Sequence, residues 1–203
     1  MKRWAILMLV GVLLTLTLAC GGGGGNDEST TSATDQVVIE VVNRAPEDVC
    51  YVYISETDSD AWGDDQLGDD DTIATGSRMT FEFPPGMYDV RLENCDEATM
   101  ETAWQVTSDT TVTAGADGAT SWVLFENQSS VEVCYIFISP SDGDDWGDDW
   151  MGGNENIPSG AQRLFYVEPG VYDLLAQDCD QQDLAEVYEA DLTDGRPWIL
   201  AED

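Results

Sequence analysis

The chain carries one sequence written twice in register, and a gapless repeat folds as the same unit made two times. Cys50, Trp62, Gly86, Tyr88 and Cys95 recur as Cys134, Trp146, Gly170, Tyr172 and Cys179, each pair 84 positions apart (134 − 50 for the first). Each copy therefore keeps a cysteine pair, a Trp-Gly-Asp-Asp segment and a Pro-Gly turn ahead of Tyr-Asp. A unit of this size can bury a core, but a modest one that gains from covalent staples.

Within each copy the hydrophobic period is that of strands. Cys50, Val52 and Ile54 share one face of a strand while Val49, Tyr51 and Tyr53 share the other, so this segment is apolar on both sides. Such a strand is expected in the middle of a sandwich or beneath a covering loop, not at an edge. Met79 to Phe83 and Met87 to Leu92 alternate on either side of Pro84-Pro85-Gly86, and weaker strands follow at 103–107 and 110–114. The second copy repeats the order from 122–126 to 197–201. The expected fold is all-β: two tandem small antiparallel β-sandwiches, Ig-like or transthyretin-like, each with one disulfide, over 36–117 and 118–203. One larger sandwich shared by both copies is the alternative.

Five cysteines divide as one plus two equivalent pairs. Four cysteines allow three connectivities. Duplication favours Cys50–Cys95 and Cys134–Cys179, because an ancestral single unit had to pair with itself. Cys95 has the strand parity of Asp89 and Arg91, so it must lie past the strand end or after a bulge to reach Cys50.

The N-terminus speaks to address. Lys2 and Arg3 precede an apolar stretch from Trp4 to Leu18, and Leu16-Thr17-Leu18-Ala19-Cys20 sets small and apolar residues before a cysteine. Residues 1–19 resemble a bacterial lipoprotein signal peptide, which implies that Cys20 is acylated, becomes the mature N-terminus and holds the protein in the membrane. Several chains on one cysteine give a stable anchor where a single chain gives a marginal one. Gly21 to Gly25 and the small polar residues up to about 35 then read as a flexible tether. The expected location is the bacterial cell envelope, lipid-anchored at the outer membrane or cell surface.

Acidic residues number 41 against 7 basic, a net charge of −34, and histidine is absent. Lys2 and Arg3 leave with the signal, so the mature chain has five arginines and no lysine. That surface repels nucleic acid and anionic lipid and favours cations or basic extracellular proteins as partners. Self-repulsion also favours a monomer. Without histidine or lysine, Ser-His-Asp, Cys-His and Schiff-base chemistry are excluded. Only carboxylate pairs could do acid–base work, and none is singled out by an apolar context, so no enzyme is expected.

The acidic loops carry the remaining chemistry. Both read Asp-x-Asp-x-Trp-Gly-Asp-Asp-x-(Leu or Met)-Gly, with Asp58, Asp60, Asp64 and Asp65 in the first copy and Asp142, Asp144, Asp148 and Asp149 in the second. Calcium takes six to eight oxygen ligands, which alternating aspartates around a glycine can supply. An EF-hand is rejected, since Trp62 stands at the fifth ligand position and the flanks are strands. The competing reading is structural: Trp62 with Leu67, and Trp146 with Met151, cap one open end of each sandwich while the aspartates cap backbone amides.

Asn43, Val49 to Ser55, Trp62 to Gly68, Ile73, Gly76 and Pro85 to Asp89 together resemble a module of small exported bacterial proteins, with the pattern (V/I)-Y-(V/I)-S-P-S, W-G-x-D-x-L-G and Y-D-(L/V). The second copy is closer, with Ile138-Ser139-Pro140-Ser141, while the first has Glu56 in place of Pro. The resemblance implies no catalytic or binding residue. Two functions follow as expectations. One is a surface-displayed, membrane-anchored lipoprotein acting as a non-catalytic binding module, with Ca2+ as the candidate ligand of the acidic loops. The other is a structural envelope lipoprotein whose acidity serves solubility. Of the features shared by the copies, only the aspartates exceed what folding requires.

Overall fold

Alternation of apolar residues builds strands in every segment where the period is two. In the computed structural model, which describes residues 36–68 and 70–201, these strands fall at equivalent places in the two copies. The first copy supplies β1 (Val37–Asn43), β2 (Tyr51–Glu56), β3 (Arg78–Phe83), β4 (Tyr88–Glu93), β5 (Thr99–Val106) and β6 (Thr110–Ala114). The second supplies β7 (Ser121–Asn127), β8 (Tyr135–Pro140), β9 (Gln162–Val167), β10 (Val171–Gln177), β11 (Asp183–Asp191) and β12 (Arg196–Leu200). The signal, tether and Cys20 assignments lie outside the described residues, as does Asp69.

The protein is all-β, and each copy is a sandwich of two three-stranded layers. In the first, β3-β1-β6 and β5-β4-β2 enclose one core that includes Ile39, Val41, Val52, Val90 and Leu92. In the second, the layers β12-β7-β9 and β11-β10-β8 enclose Phe125, Ile136, Leu174 and Trp198. Pairing is largely antiparallel, but β6 runs parallel to β1, and β12 parallel to β7. The sandwiches are also continuous. β9 meets β5 in parallel at Thr99 and Arg163, joining a layer from each copy into one six-stranded sheet, β12-β7-β9-β5-β4-β2.

Asymmetry between the copies makes that junction. β3 alternates exposed and half-buried residues, as a strand with one solvated face should. Its counterpart β9 is buried at every position after Gln162. Leu164 and Tyr166 stand where β3 has Thr80 and Glu82, and both pack into the core of the first copy with Trp122 and Leu124.

Most residues that the copies share close the fold. Asn43 and Asn127 are fully buried, and each amide nitrogen donates to two loop carbonyls, those of Glu47 and Ile73 in one copy and Val131 and Ile157 in the other. The Pro-Gly turn needs glycine because the tyrosine folds back over it. A Cβ on Gly86 would lie 2.9 Å from the Tyr88 ring, and the Tyr88 hydroxyl donates to the Pro84 carbonyl at 3.0 Å. The disulfides are Cys50–Cys95 and Cys134–Cys179, with Cα atoms 5.0 and 4.9 Å apart. Cys95 sits in the turn beyond β4, as its strand parity requires.

One expectation is revised. β2 is an edge strand of the six-stranded sheet despite its two apolar faces, and β8 is likewise an edge. What makes this tolerable is the acidic loop, which covers the free edge.

Candidate functional site

The acidic loops are built around one aspartate each. Asp65 Oδ1 accepts hydrogen bonds from the backbone N–H of Val52 at 2.9 Å and of Leu67 at 3.1 Å. Asp149 Oδ1 accepts from Ile136 at 3.0 Å and Met151 at 3.1 Å. Gln66 and Trp150 complete the cover by donating their N–H groups to the carbonyls of Val52 and Ile136, both at 2.8 Å. Each aspartate thus satisfies an otherwise unpaired edge amide and closes an Asx-turn. The turn drives Leu67 and Met151 into their cores, where they are 6% and 5% exposed. Burial pushes the Asp149 carboxyl above the usual aspartate range, against the pull of its two backbone hydrogen bonds. These loops therefore serve the fold.

The other aspartates named from the sequence, Asp58, Asp60, Asp64, Asp142, Asp144 and Asp148, are exposed. Among the described residues, no three acidic, cysteine or histidine side chains converge as a metal cluster. The two tryptophans end in different company. Trp146 packs on Tyr188 with ring centroids 5.9 Å apart, whereas Trp62 packs on Trp104 at 5.5 Å and carries the Arg91 guanidinium 4.8 Å above its ring.

That difference opens onto the junction of the copies. Trp62, Arg91, Thr102 and Trp104 of the first copy, with Asn156 and Gln162 of the second, line a cavity of about 170 Å³. Three of these side chains have a buried polar atom with no hydrogen-bond partner among the described residues: Arg91 Nε, Thr102 Oγ1 and Trp104 Nε1. Arg91 Nε lies 2.9 Å from Glu93 Oε1, close enough for an ion pair but outside hydrogen-bond geometry. Burial outweighs this pairing at Glu93, whose carboxyl is pushed above its ordinary value.

A second charged group ties the junction together. Arg163 is 4% exposed and Glu155 8%, and Arg163 Nε donates to Glu155 Oε1 at 2.7 Å. Arg163 Nη1 also donates to the Met100 carbonyl of β5, so the guanidinium ties β9 to the strand it meets. Glu101 lies 4.0 Å away, its carboxyl held above the usual range by desolvation in spite of the arginine.

None of Arg91, Thr102, Trp104, Glu155 and Arg163 belongs to a motif that the two copies share. The signal lay in what they do not share. Arg91, Thr102 and Trp104 face Leu175, Glu186 and Tyr188 in the repeat alignment, and Arg163 faces Met79.

No family model and no curated protein matches the chain. Among solved structures it is similar to one described as "The Bacillus anthracis TIE protein", at 8% identity with a TM-score of 0.25. That match covers 82% of this chain and 34% of the other, so the chain spans about a third of that protein's length.

Proposed function

We propose that this protein is an exported bacterial envelope lipoprotein, held by acyl groups on Cys20, that displays a non-catalytic interaction module at the end of a tether. The observation that carries the interaction role is the junction cavity, which residues of both copies line and which has Trp62, Arg91 and Trp104 on one wall. Two disulfides support the exported location, because such bonds persist in oxidising compartments. In this reading the duplication serves to build a junction, and the acidic loops serve the fold of each copy.

The anchor is tested by growing the full chain in a bacterial host with a clickable fatty acid. The wild-type chain should carry the label and sediment with membranes, and Cys20→Ser should do neither. Unlabelled wild-type protein in the soluble fraction would overturn the anchor.

A further inference from the structure

β5 and β11 are the same strand of the two copies, yet only β5 has a neighbour on its outer side. β9 meets it in parallel at Thr99 and Arg163, whereas β11 ends the sheet β11-β10-β8. The covered strand is exposed only at Gln105, and the free one at Asp183, Glu186, Tyr188, Glu189 and Asp191. The sequence follows this difference. Asp183, Glu186 and Glu189 stand where β5 has Thr99, Thr102 and Gln105, so three neutral positions of the covered edge are acidic on the free one. None of these acids makes an ion pair among the described residues. Apolar surface is left open with them. Met100 is 1% exposed in the core that Leu164 and Tyr166 of β9 join, but its equivalent Leu184 is only half-buried. Val131 takes the place of Glu47, the acceptor of the Tyr166 hydroxyl, and is 42% exposed.

Acidic side chains on a free edge keep like edges from pairing with it. On a second copy of this chain the counterpart of β9 is β3. In the register of the junction its Glu82 would meet Glu186, and Met79 would replace Arg163. Self-association through these edges is therefore opposed, but a basic strand is drawn to the same groups. At β5 the arginine arriving from β9 donates to the Met100 carbonyl and lies 4.0 Å from Glu101. The equivalent carbonyl on β11 is that of Leu184, which lies in sequence between Asp183 and Glu186.

We propose that β11 takes up an extended, arginine-bearing segment of another protein, added in parallel as β9 is to β5, with arginine opposite Asp183 and apolar side chains over Leu184 and Val131. Main-chain hydrogen bonds supply the affinity of such an added strand, and its alternate side chains the selectivity. The edge shares no residue with the junction cavity, so it binds whether or not the cavity does, and the anchor on Cys20 is independent of both.

The test titrates the full chain, in detergent at physiological ionic strength, against fluorescent peptides followed by anisotropy. The probe carries Arg-Leu-Thr-Tyr-Arg-Val. One control has glutamate for both arginines. The other keeps the arginines but has proline for threonine and valine, which removes an N–H from either side of the strand. The probe should bind saturably, and both controls should bind about tenfold more weakly or worse. Amide hydrogen exchange should slow on binding within residues 183–191. Asp183→Thr and Glu186→Thr, which restore the residues of β5, should each weaken the probe by about twofold to fivefold, the value of one exposed ion pair. Asp60→Asn removes a charge from the acidic loop of the other copy and should leave the affinity unchanged. No binding of the probe would overturn the proposal and leave an edge that is only guarded. Equal binding of the proline control, or protection outside β11, would overturn it too, as capture of a basic peptide by the acidic surface at large. Fatty-acid labelling of Cys20 is unaffected by any of these results, so failure of the edge and failure of the anchor are distinguishable.

Discussion

Asp89 on β4 accepts the backbone N–H of Gln105 at 2.8 Å, and Gln105 is one of four non-glycine residues held at positive φ among those described. The register of β4 on β5 shifts there, so the extra residue of a bulge has an N–H that no strand neighbour can take. Asp89 takes it, and also accepts from the Thr57 hydroxyl at 2.7 Å. Asp173 does the same for Glu189 and Ser141. The aspartate of the shared Tyr-Asp pair is thus a bulge clamp.

Asp89→Ala should consequently destabilise the protein by about 1–3 kcal/mol, since it strands a part-buried N–H. Asp89→Asn retains an acceptor oxygen and should cost less. Urea unfolding of the two variants beside wild type measures the order.

Each disulfide closes a separation of 45 residues, worth about 4 kcal/mol in the chain-entropy model. The double replacement Cys50→Ser with Cys95→Ser should lower stability by about 2–5 kcal/mol, and the equivalent change at Cys134 and Cys179 by a similar amount. Peptide mapping of the non-reduced protein checks the pairing itself, and bridges between the copies would contradict it.

Acidity should stabilise this protein over a range where many others begin to weaken. Glu93, Glu101 and Asp149 all have carboxyls raised by burial in the folded state. Between the ordinary carboxylate range and the raised values the native state holds more protons than the unfolded chain, so stability falls as pH rises through that window. The melting temperature should therefore climb as the pH is lowered from neutrality toward the carboxylate range, helped by relief of self-repulsion. Glu93→Gln should flatten the slope, which a series of melts against pH would record.

Calcium separates the two readings of the acidic loops. With Asp65 and Asp149 committed to backbone amides, calcium and sodium at matched ionic strength should raise the melting temperature alike. A saturable, calcium-specific rise with a change in tryptophan emission would instead assign a cation site to the exposed aspartates.

Much of this architecture was legible because it is local. Alternation placed β6 at its observed bounds, and duplication paired the cysteines. Parity put Cys95 beyond its strand. The edge position of β2 was not legible, because two apolar faces describe burial by anything, including a loop. Nor was the pairing of β9 with β5, which depends on segments far apart in sequence and leaves no periodic trace. The two-sided burial of β9 was nonetheless written in Leu164 and Tyr166, where the first copy has Thr80 and Glu82. The cavity escaped for a related reason: Arg91, Thr102 and Trp104 in its lining mark where the repeat is broken.

The central claim is that the copies form one body through β5 and β9 and that Arg163 holds them together. Differential scanning calorimetry of wild type and Arg163→Met tests it most directly. Methionine is the residue at the equivalent position of the first copy, and the change leaves Glu155 buried without its partner, a cost of about 3–5 kcal/mol. Wild type should melt in one cooperative transition, and the variant should melt lower, with the two copies separating into distinct transitions. Two independent transitions in the wild type, with the first untouched by Arg163→Met, would contradict the account.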